Sequence, residues 1–487
     1  MASRYDLVVI GSGPAGEKGA ARAAYFGKKV AIVERGPHLG GAGVNTGTIP
    51  SKTLRETALY FSGLRQRGLY GIDYSLREGV TVVEFMHRER AVVETEWALI
   101  ERNLKRHGID LIWGDAAFLS ADRLSVGLNS GGTQELVADA FLIATGSVPN
   151  HPPQVPFDED LVFDSDTILR MKRLPKSIAV VGGGIIGCEY AALFTALGID
   201  VTQIVSSPTL LSFLDREIRD RLQSHLETIG LRFTFNERVA GVRAHGGSVE
   251  LTLSSGAALQ TEIVLYAAGR RGNVAGLGLD RAGVTLNADG HIVVDGCFRT
   301  AAPNIYAAGD VLGFPALASV SMEQGRVAVT HAFGLPSTEG VSAVCPMAVY
   351  SIPEVATVGL SEDECTQRGI PCLVGRSYYD KSPRGQIIGD TVGMLKLVFS
   401  PEDKRLLGAH HIGELASELV HIGAHVMAEG GTIDAFIDAV YNYPSLSDSY
   451  KYAAYDGLGL RDRWLVEREQ VGVATGPGSP AIRELTP

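Results

Sequence analysis

The feature that most constrains this chain is a short pattern that occurs twice. Tyr5-Asp-Leu-Val-Val-Ile10 reads as a buried parallel strand, Gly11-Ser-Gly-Pro-Ala-Gly16 turns into an Ala-rich helix through Tyr25, and Val30-Ala-Ile-Val-Glu34 returns as a strand. The same order recurs as strand Ser177 to Val181, loop Gly182-Gly-Gly-Ile-Ile-Gly187, helix Cys188 to Leu197 and strand Val201 to Val205. One G-x-G-x-x-G is weak evidence, since three glycines can simply make a tight corner. Two of them, each between a strand and a helix, point to a pair of dinucleotide-binding units in an α/β protein.

The two units differ at the position that reads the ribose. Glu34 lies 18 residues past Gly16, at the tip of the second strand, where an acid accepts hydrogen bonds from ribose hydroxyls. The equivalent position in the second unit is Val205, followed by Ser206, Ser207 and Pro208. A hydrogen bond to a charged acceptor is worth about 1.5–3 kcal/mol, so its loss removes a roughly ten- to hundredfold preference for a free 2′-hydroxyl. With neither an acid nor an Arg at the strand end, this site is expected to take NAD(H) and NADP(H) with little discrimination. A degenerate, non-binding repeat is the alternative, and the intact glycines argue against it.

The rest of the chain fixes the setting. At 487 residues, about three domains are expected. Lys and Arg number 44 against 55 Asp and Glu, a net charge of −11 with no basic block, which argues against nucleic acid. Apolar runs such as Ser177 to Val181 and Phe141 to Ala144 are far shorter than the ~18 residues of a spanning helix. No basic region or cleavage site precedes the first strand, so a cytoplasmic protein is expected. The five cysteines (Cys188, Cys297, Cys345, Cys365, Cys372) form no C-x-x-C, and no metal site is expected. Val83 to His107 reads as a long surface helix, and Val148 to Pro156 as a Pro-rich linker. From Pro346 the pattern alternates, with Gly393 to Phe399 and Leu407 to Ile412 as antiparallel strands.

With these marks in place, the sequence resembles the flavoprotein disulfide reductases over nearly its whole length. The resemblance rests on Gly11-x-Gly13-x-x-Gly16 with Glu34, Ala144-Thr145-Gly146, Gly182-x-Gly184-x-x-Gly187, Gly269-Arg270 and Gly309-Asp310. It implies two Rossmann-like nucleotide-binding domains, for FAD and NAD(P), and a C-terminal α+β dimerisation domain. The implied limits are 1–150 and 275–345 for the FAD domain, 151–274 for the NAD(P) domain, 346–468 for the interface domain, and a disordered tail over 469–487. It further implies that Gly41, Gly43, Thr48, Lys52, Thr145, Gly146 and Asp310 join Gly11, Gly13, Gly16 and Glu34 at FAD, with Asp310 on the ribityl chain. Gly182, Gly184, Gly187, Val205, Gly269 and Arg270 would serve NAD(P).

Two departures bear on the chemistry. The family's segment Gly-Gly-x-Cys-x-Asn-x-Gly-Cys-Ile-Pro-Ser-Lys reads here Gly40-Gly-Ala-Gly43-Val-Asn-Thr-Gly-Thr48-Ile-Pro-Ser-Lys52, so Gly43 and Thr48 fill both cysteine positions. The family's C-terminal His-Pro, with Glu four residues beyond the Pro, becomes Tyr443-Pro444 with Asp448. The thiols and the imidazole that would protonate them are lost together, as a change of reaction requires.

The wording Asn45-Thr-Gly-Thr-Ile-Pro-Ser-Lys-Thr-Leu-Arg55 with Asn442-Tyr-Pro-Ser445 is similar to the branch of soluble pyridine nucleotide transhydrogenases, although Gly43 replaces a cysteine common there. That likeness implies hydride passing between NADPH and NAD⁺ through FAD by a ping-pong route, in a homodimer or higher homo-oligomer. Lys52, Glu189, Tyr443 and Asp448 are then the candidate catalytic residues. Lys52 is expected early in a helix beginning near Ser51, and Glu189 at the second position of its helix, where the dipole favours an anion. The alternatives are a flavin NAD(P)H dehydrogenase reducing a quinone, and a non-catalytic flavoprotein subunit.

Overall fold

A computed structural model describes residues 3–63, 69, 80–336 and 340–474. It is mixed α/β and divides into two compact units: Met1–Leu64, Asp73–Leu210 and Glu227–Ala343, and Arg65–Ile72, Leu211–Leu226 and Val344–Pro487.

In the first unit, β1 (Ser3–Ile10), α1 (Pro14–Tyr25) and β2 (Val30–Glu34) form the first strand–helix–strand turn, followed by α2 (Gly41–Asn45), α3 (Thr48–Ser62) and α4 (Val82–Arg106). β3 (Asp110–Ser120), β4 (Arg123–Leu128) and β5 (Thr133–Ile143) follow, and β1 lies parallel to both β2 and β5. Side chains alternate along β1: Val8 and Ile10 enter one apolar cluster, Leu7 and Val9 the other. From Leu7 to Ile10 the strand is apolar because both faces are buried, each such side chain contributing about 1.5–3 kcal/mol.

β6 (Ser147–Pro149) leaves this sheet, and the second turn follows as β7 (Val162–Asp164), β8 (Ser177–Val181), α5 (Ile185–Ala196) and β9 (Asp200–Val205). α6 (Arg216–Thr228), all but its last two residues part of the second unit, comes next in the chain, and β10 (Arg232–Phe235) follows in the first. A three-stranded antiparallel sheet follows, of β11 (Val239–His245), β12 (Ser248–Leu253) and β13 (Ala258–Thr261). β14 (Ile263–Tyr266) completes a parallel sheet of order β10-β9-β8-β14-β7. β15 (Arg270–Gly272) then pairs antiparallel with β6, setting Arg270 opposite Pro149 and Gly272 opposite Ser147. β16 (Ile305–Ala307) rejoins β5, and α7 (Ala318–Phe333) lies against α1, so close that a Cβ on Gly325 would sit 2.2 Å from the Ala15 carbonyl oxygen.

Two helices start earlier than the pattern alone suggests. α5 begins at Ile185 instead of Cys188, which puts Glu189 in its second turn and not at its second position. α3 begins at Thr48 and not near Ser51. The last turn of each glycine loop is itself helical, and the dipole therefore contributes less at Glu189 than its expected place implied.

The second unit holds β17 (Met347–Val349), β18 (Val355–Gly359), α8 (Glu362–Gln367), β19 (Leu373–Tyr378), α9 (Pro383–Ile388), β20 (Met394–Phe399) and β21 (Leu406–Ile412). The strands form an antiparallel sheet of order β17-β18-β21-β20-β19. α10 (Ala416–Ala428), α11 (Asp434–Asp438) and α12 (Ser449–Ala474) complete it. On β20 the buried Lys396 reaches Glu362 at 2.7 Å and Asp215 at 3.0 Å, so its charge is compensated. α12 continues past 469 to Ala474, and the remainder of the expected tail lies outside the described residues. Among the described residues no helix is long and apolar enough to cross a membrane.

Candidate functional site

The first glycine loop is shaped by close backbone approach. Gly11 has φ +102°, and a Cβ there would lie 2.4 Å from the Ala144 carbonyl oxygen; one on Gly16 would lie 2.0 Å from the Gly11 carbonyl oxygen. Gly41 faces Gly13 so tightly that its Cβ would fall 2.8 Å from the Gly13 Cα. Such a cradle leaves backbone N–H groups facing a space with no side chains, which is how a pyrophosphate is held at a helix N-terminus. At its edge, the buried Glu34 carboxylate accepts hydrogen bonds from the Ser12 amide (2.9 Å), the Ser12 hydroxyl (2.7 Å) and the Gly36 amide (2.7 Å). The carboxylate is thereby fixed in place, with a lone pair of Oε1 left for a ribose hydroxyl. Two further groups fit a bound dinucleotide. The Thr145 Oγ1 is buried without a partner among the described residues, and Asp310, in the turn after Gly309, accepts from the Ser147 hydroxyl at 3.0 Å.

The second loop repeats this backbone. Gly182 has φ +128° and a Cβ there would lie 2.6 Å from the Ala267 carbonyl oxygen, while one on Gly187 would lie 2.2 Å from the Gly182 carbonyl oxygen. Gly184 faces open space. Val205 is buried and covers Gly183, so a Cβ on Gly183 would fall 2.5 Å from the Val205 Cγ1. Gln203, unforeseen from the sequence, donates to the Gly182 carbonyl at 2.8 Å and braces the turn. Gly269 has φ +101°. The hydrogen bonds of Arg270 are internal: its guanidinium binds Ser147, Ser165 and Asp166, and Ser165 and Asp166 likewise carried no sequence motif.

An ion pair joins α3 to α5. Lys52 on α3 places its Nζ 2.7 and 3.0 Å from the two carboxylate oxygens of Glu189 on α5. The Ser51 hydroxyl lies 3.4 Å from one of those oxygens and 3.3 Å from the Lys52 Nζ. The Glu189 side chain is 7% exposed and that of Lys52 27%. Removing either partner breaks an ion pair that is largely shielded from water.

Gly43 lies on α2, where a Cβ would stand 3.1 Å from the Pro14 Cγ, and Thr48 is the exposed first residue of α3. The thiol adjacent in sequence to the ion pair, Cys188, is fully buried, and burial pushes it up to about 12. It remains protonated at any ordinary pH and is no nucleophile. Tyr443 and Asp448 belong to the second unit, in the segment before α12, with Tyr443 70% exposed and Asp448 half-buried.

This arrangement of two glycine cradles in one unit defines a class, and comparison with known families agrees. Residues 5–325 match the pyridine nucleotide-disulphide oxidoreductase family, and residues 345–454 match the dimerisation domain of that family. The chain belongs to this family. Within it, the chain is 47% identical over 453 residues to the soluble pyridine nucleotide transhydrogenase of Mycobacterium tuberculosis, covering 93% of this chain and 97% of the relative. It is 38% identical to the soluble pyridine nucleotide transhydrogenase of Marinomonas sp., over 93% and 98% of the two chains. Among solved structures, LpdA from Mycobacterium tuberculosis superposes with a TM-score of 0.86 at 27% identity, covering 93% of this chain and 99% of that one. The HOCl-induced flavoprotein disulfide reductase RclA from Escherichia coli does so at 0.83 and 29%, with the same coverage.

Proposed function

We propose that the protein is an FAD-dependent NAD(P)⁺ transhydrogenase that moves hydride between NADPH and NAD⁺ without a redox-active disulfide. One observation carries the reading: the Lys52–Glu189 pair joins the segment beside the first cradle to the helix of the second, and both cysteine positions of the family are filled by Gly43 and Thr48. FAD, when bound, supplies a two-electron carrier. Gly11, Gly13, Gly16 and Gly41 shape its pyrophosphate site, Glu34 holds a ribose, and Thr145, Gly146 and Asp310 line the remainder; Gly43 and Thr48 leave the redox position without sulfur. Gly182, Gly184 and Gly187 hold the nicotinamide dinucleotide, and Val205 leaves its 2′ position unread. Lys52 and Glu189 present a fixed, internally compensated dipole, which stabilises charge developing at a reacting ring without reorganising. Tyr443 and Asp448 stand where the family keeps its proton donor and would orient the nucleotide.

The second loop is the one nicotinamide fingerprint in the sequence, so both nucleotides use it in turn and parallel initial-rate lines are expected. The names of the relatives support the acceptor, and the family's dimerisation domain supports a homodimer. A cytoplasmic location and the limits 1–150, 151–274, 275–345 and 346–468 belong to the same reading. The test is steady-state turnover of NADPH with an NAD⁺ analogue against NADPH with a quinone. Parallel lines in the first assay agree with the proposal. Intersecting lines contradict the single site, and negligible transhydrogenation beside rapid quinone reduction makes the protein a diaphorase.

A further inference from the structure

Arg270 uses its guanidinium within the protein. Its Nε donates to the Ser147 hydroxyl at 2.9 Å and one Nη to the Ser147 carbonyl at 2.9 Å; the other Nη donates to the Ser165 hydroxyl at 2.9 Å and to Asp166 at 2.8 Å. Ser147 begins β6 and Arg270 begins β15, the two strands of the ribbon, while Ser165 and Asp166 lie at the corner just beyond β7. The direction of the chain of hydrogen bonds follows from its chemistry. Arginine has donors and no acceptor, so the Ser147 oxygen must accept from Nε, and its own hydrogen is then free to point at the Asp310 carboxylate 3.0 Å away. Donation therefore runs outward from Arg270, to Ser165 and Asp166 on one side and through Ser147 to Asp310 on the other.

We propose that Arg270 is a positioning residue for the flavin site: through Ser147 it orients the Asp310 carboxylate that holds the ribityl chain, and it does not read the nicotinamide nucleotide. The inference rests on the assignment of Asp310 to FAD made above. Four hydrogen bonds at 2.8–2.9 Å commit the fork to Ser147, Ser165 and Asp166. Lysine is no substitute, because a single ammonium cannot span a hydroxyl, a carbonyl and a carboxylate arranged as a fork.

The experiment measures the FAD dissociation constant by reconstituting apoprotein, the visible flavin spectrum, and KM for NADH and NADPH, in Arg270→Lys, Ser147→Ala, Ser147→Thr and Asp310→Asn. Arg270→Lys and Ser147→Ala are each expected to weaken FAD about tenfold, the loss of one charge-linked hydrogen bond. The NADPH to NADH ratio of KM should stay within twofold, and Ser147→Thr, which keeps the hydroxyl, should restore wild-type affinity. Combining Ser147→Ala with Asp310→Asn should weaken FAD little beyond Asp310→Asn alone. Unchanged FAD affinity in both Arg270→Lys and Ser147→Ala overturns the relay. A rise in KM for NADPH alone overturns it too and makes Arg270 a reader of the 2′-phosphate. If wild-type apoprotein takes up no FAD, the flavin reading itself fails, an outcome distinct from both.

Discussion

The two glycine-loop units of the first unit share a backbone and differ in almost every side chain that surrounds it. Gly11 and Gly182 both have positive φ and both press on a carbonyl of a neighbouring strand end, Ala144 in one and Ala267 in the other. Gly16 and Gly187 both pack on the first glycine's carbonyl. At equivalent positions the side chains diverge. Ser12 with Glu34 becomes Gly183 with Val205, and Glu17 with Lys18 becomes Cys188 with Glu189. Holding a phosphate is a backbone task, so the glycines cannot drift. How firmly the rest of the nucleotide is held is a side-chain task. The first repeat anchors a carboxylate and the second pairs Glu189 with Lys52, which on the proposed function lets the first retain its ligand and the second exchange one.

The comparison breaks most severely at the glycines themselves. Gly16→Ala and Gly187→Ala each force a Cβ to within about 2 Å of a backbone oxygen, and overpacking of this kind costs about 1–3 kcal/mol or more, roughly fivefold to over a hundredfold in affinity. Gly16→Ala should yield protein depleted of FAD. Gly187→Ala should stay yellow and lose NAD(P)H binding, as measured by flavin reduction against nucleotide concentration. If both variants lost FAD equally, the division of labour between the repeats would be wrong.

Next in size is the ion pair. Lys52→Met and Glu189→Gln should each lower kcat about a hundredfold, the scale of removing one preorganised electrostatic group, with FAD retained. Each also breaks an ion pair whose Glu189 side chain is only 7% exposed, so each should lower the melting temperature. The double variant separates the two effects: it should recover stability without recovering activity. Recovery of both would reduce the pair to a structural role.

The backbone of this comparison was legible in the sequence, because an apolar run, a glycine cluster and a second apolar run encode a local shape that needs no distant contact. The strands at Tyr5 to Ile10 and Ser177 to Val181 therefore stand where periodicity puts them. Helix starts were read late, at Cys188 and Ser51, because the pattern does not reveal that the last loop turn is already helical. The partners of Arg270 are invisible in the sequence for another reason: Ser147, Ser165 and Asp166 are distant from it in the chain and ordinary in type, and the pairing of β6 with β15 brings up Ser147 while that of β7 with β14 brings up Ser165 and Asp166. The same holds for Asp215 beside Lys396, a pairing between the segment after β9 and a strand far downstream.

A smaller effect sharpens the contrast between Glu34 and Val205. Val205→Glu should shift the NADH to NADPH ratio of kcat/KM about tenfold toward NADH, since a new charged acceptor is worth about 1.5–3 kcal/mol and also repels a 2′-phosphate. The shift should be larger in Gly183→Ser/Val205→Glu, which rebuilds the Ser12 hydroxyl that fixes Glu34. Gly183→Ser alone should only destabilise, its Cβ meeting the Val205 side chain at 2.5 Å. An unchanged ratio in the double variant would show that the 2′ position is read by another element.

The smallest expected effect concerns Cys188, whose equivalent in the first repeat is Glu17. Glu17 is engaged by Lys18 and Asn103, whereas the Cys188 sulfur lies 3.7 Å from the Gly183 carbonyl oxygen and 3.5 Å from the Gln203 amide. Burial raises its thiol to about 12, so below that pH it carries a proton and lacks the thiolate that alkylating reagents attack. Iodoacetamide at pH 8 should leave Cys188 unlabelled in the native protein, by mass spectrometry of peptides, with transhydrogenation intact. Cys188→Ala should keep kcat within about twofold and lose of order 1 kcal/mol of stability from the small cavity. Loss of activity in step with labelling of Cys188 would place a working thiol beside Glu189, and the reading of both repeats as nucleotide sites without a reactive thiol would fall with it.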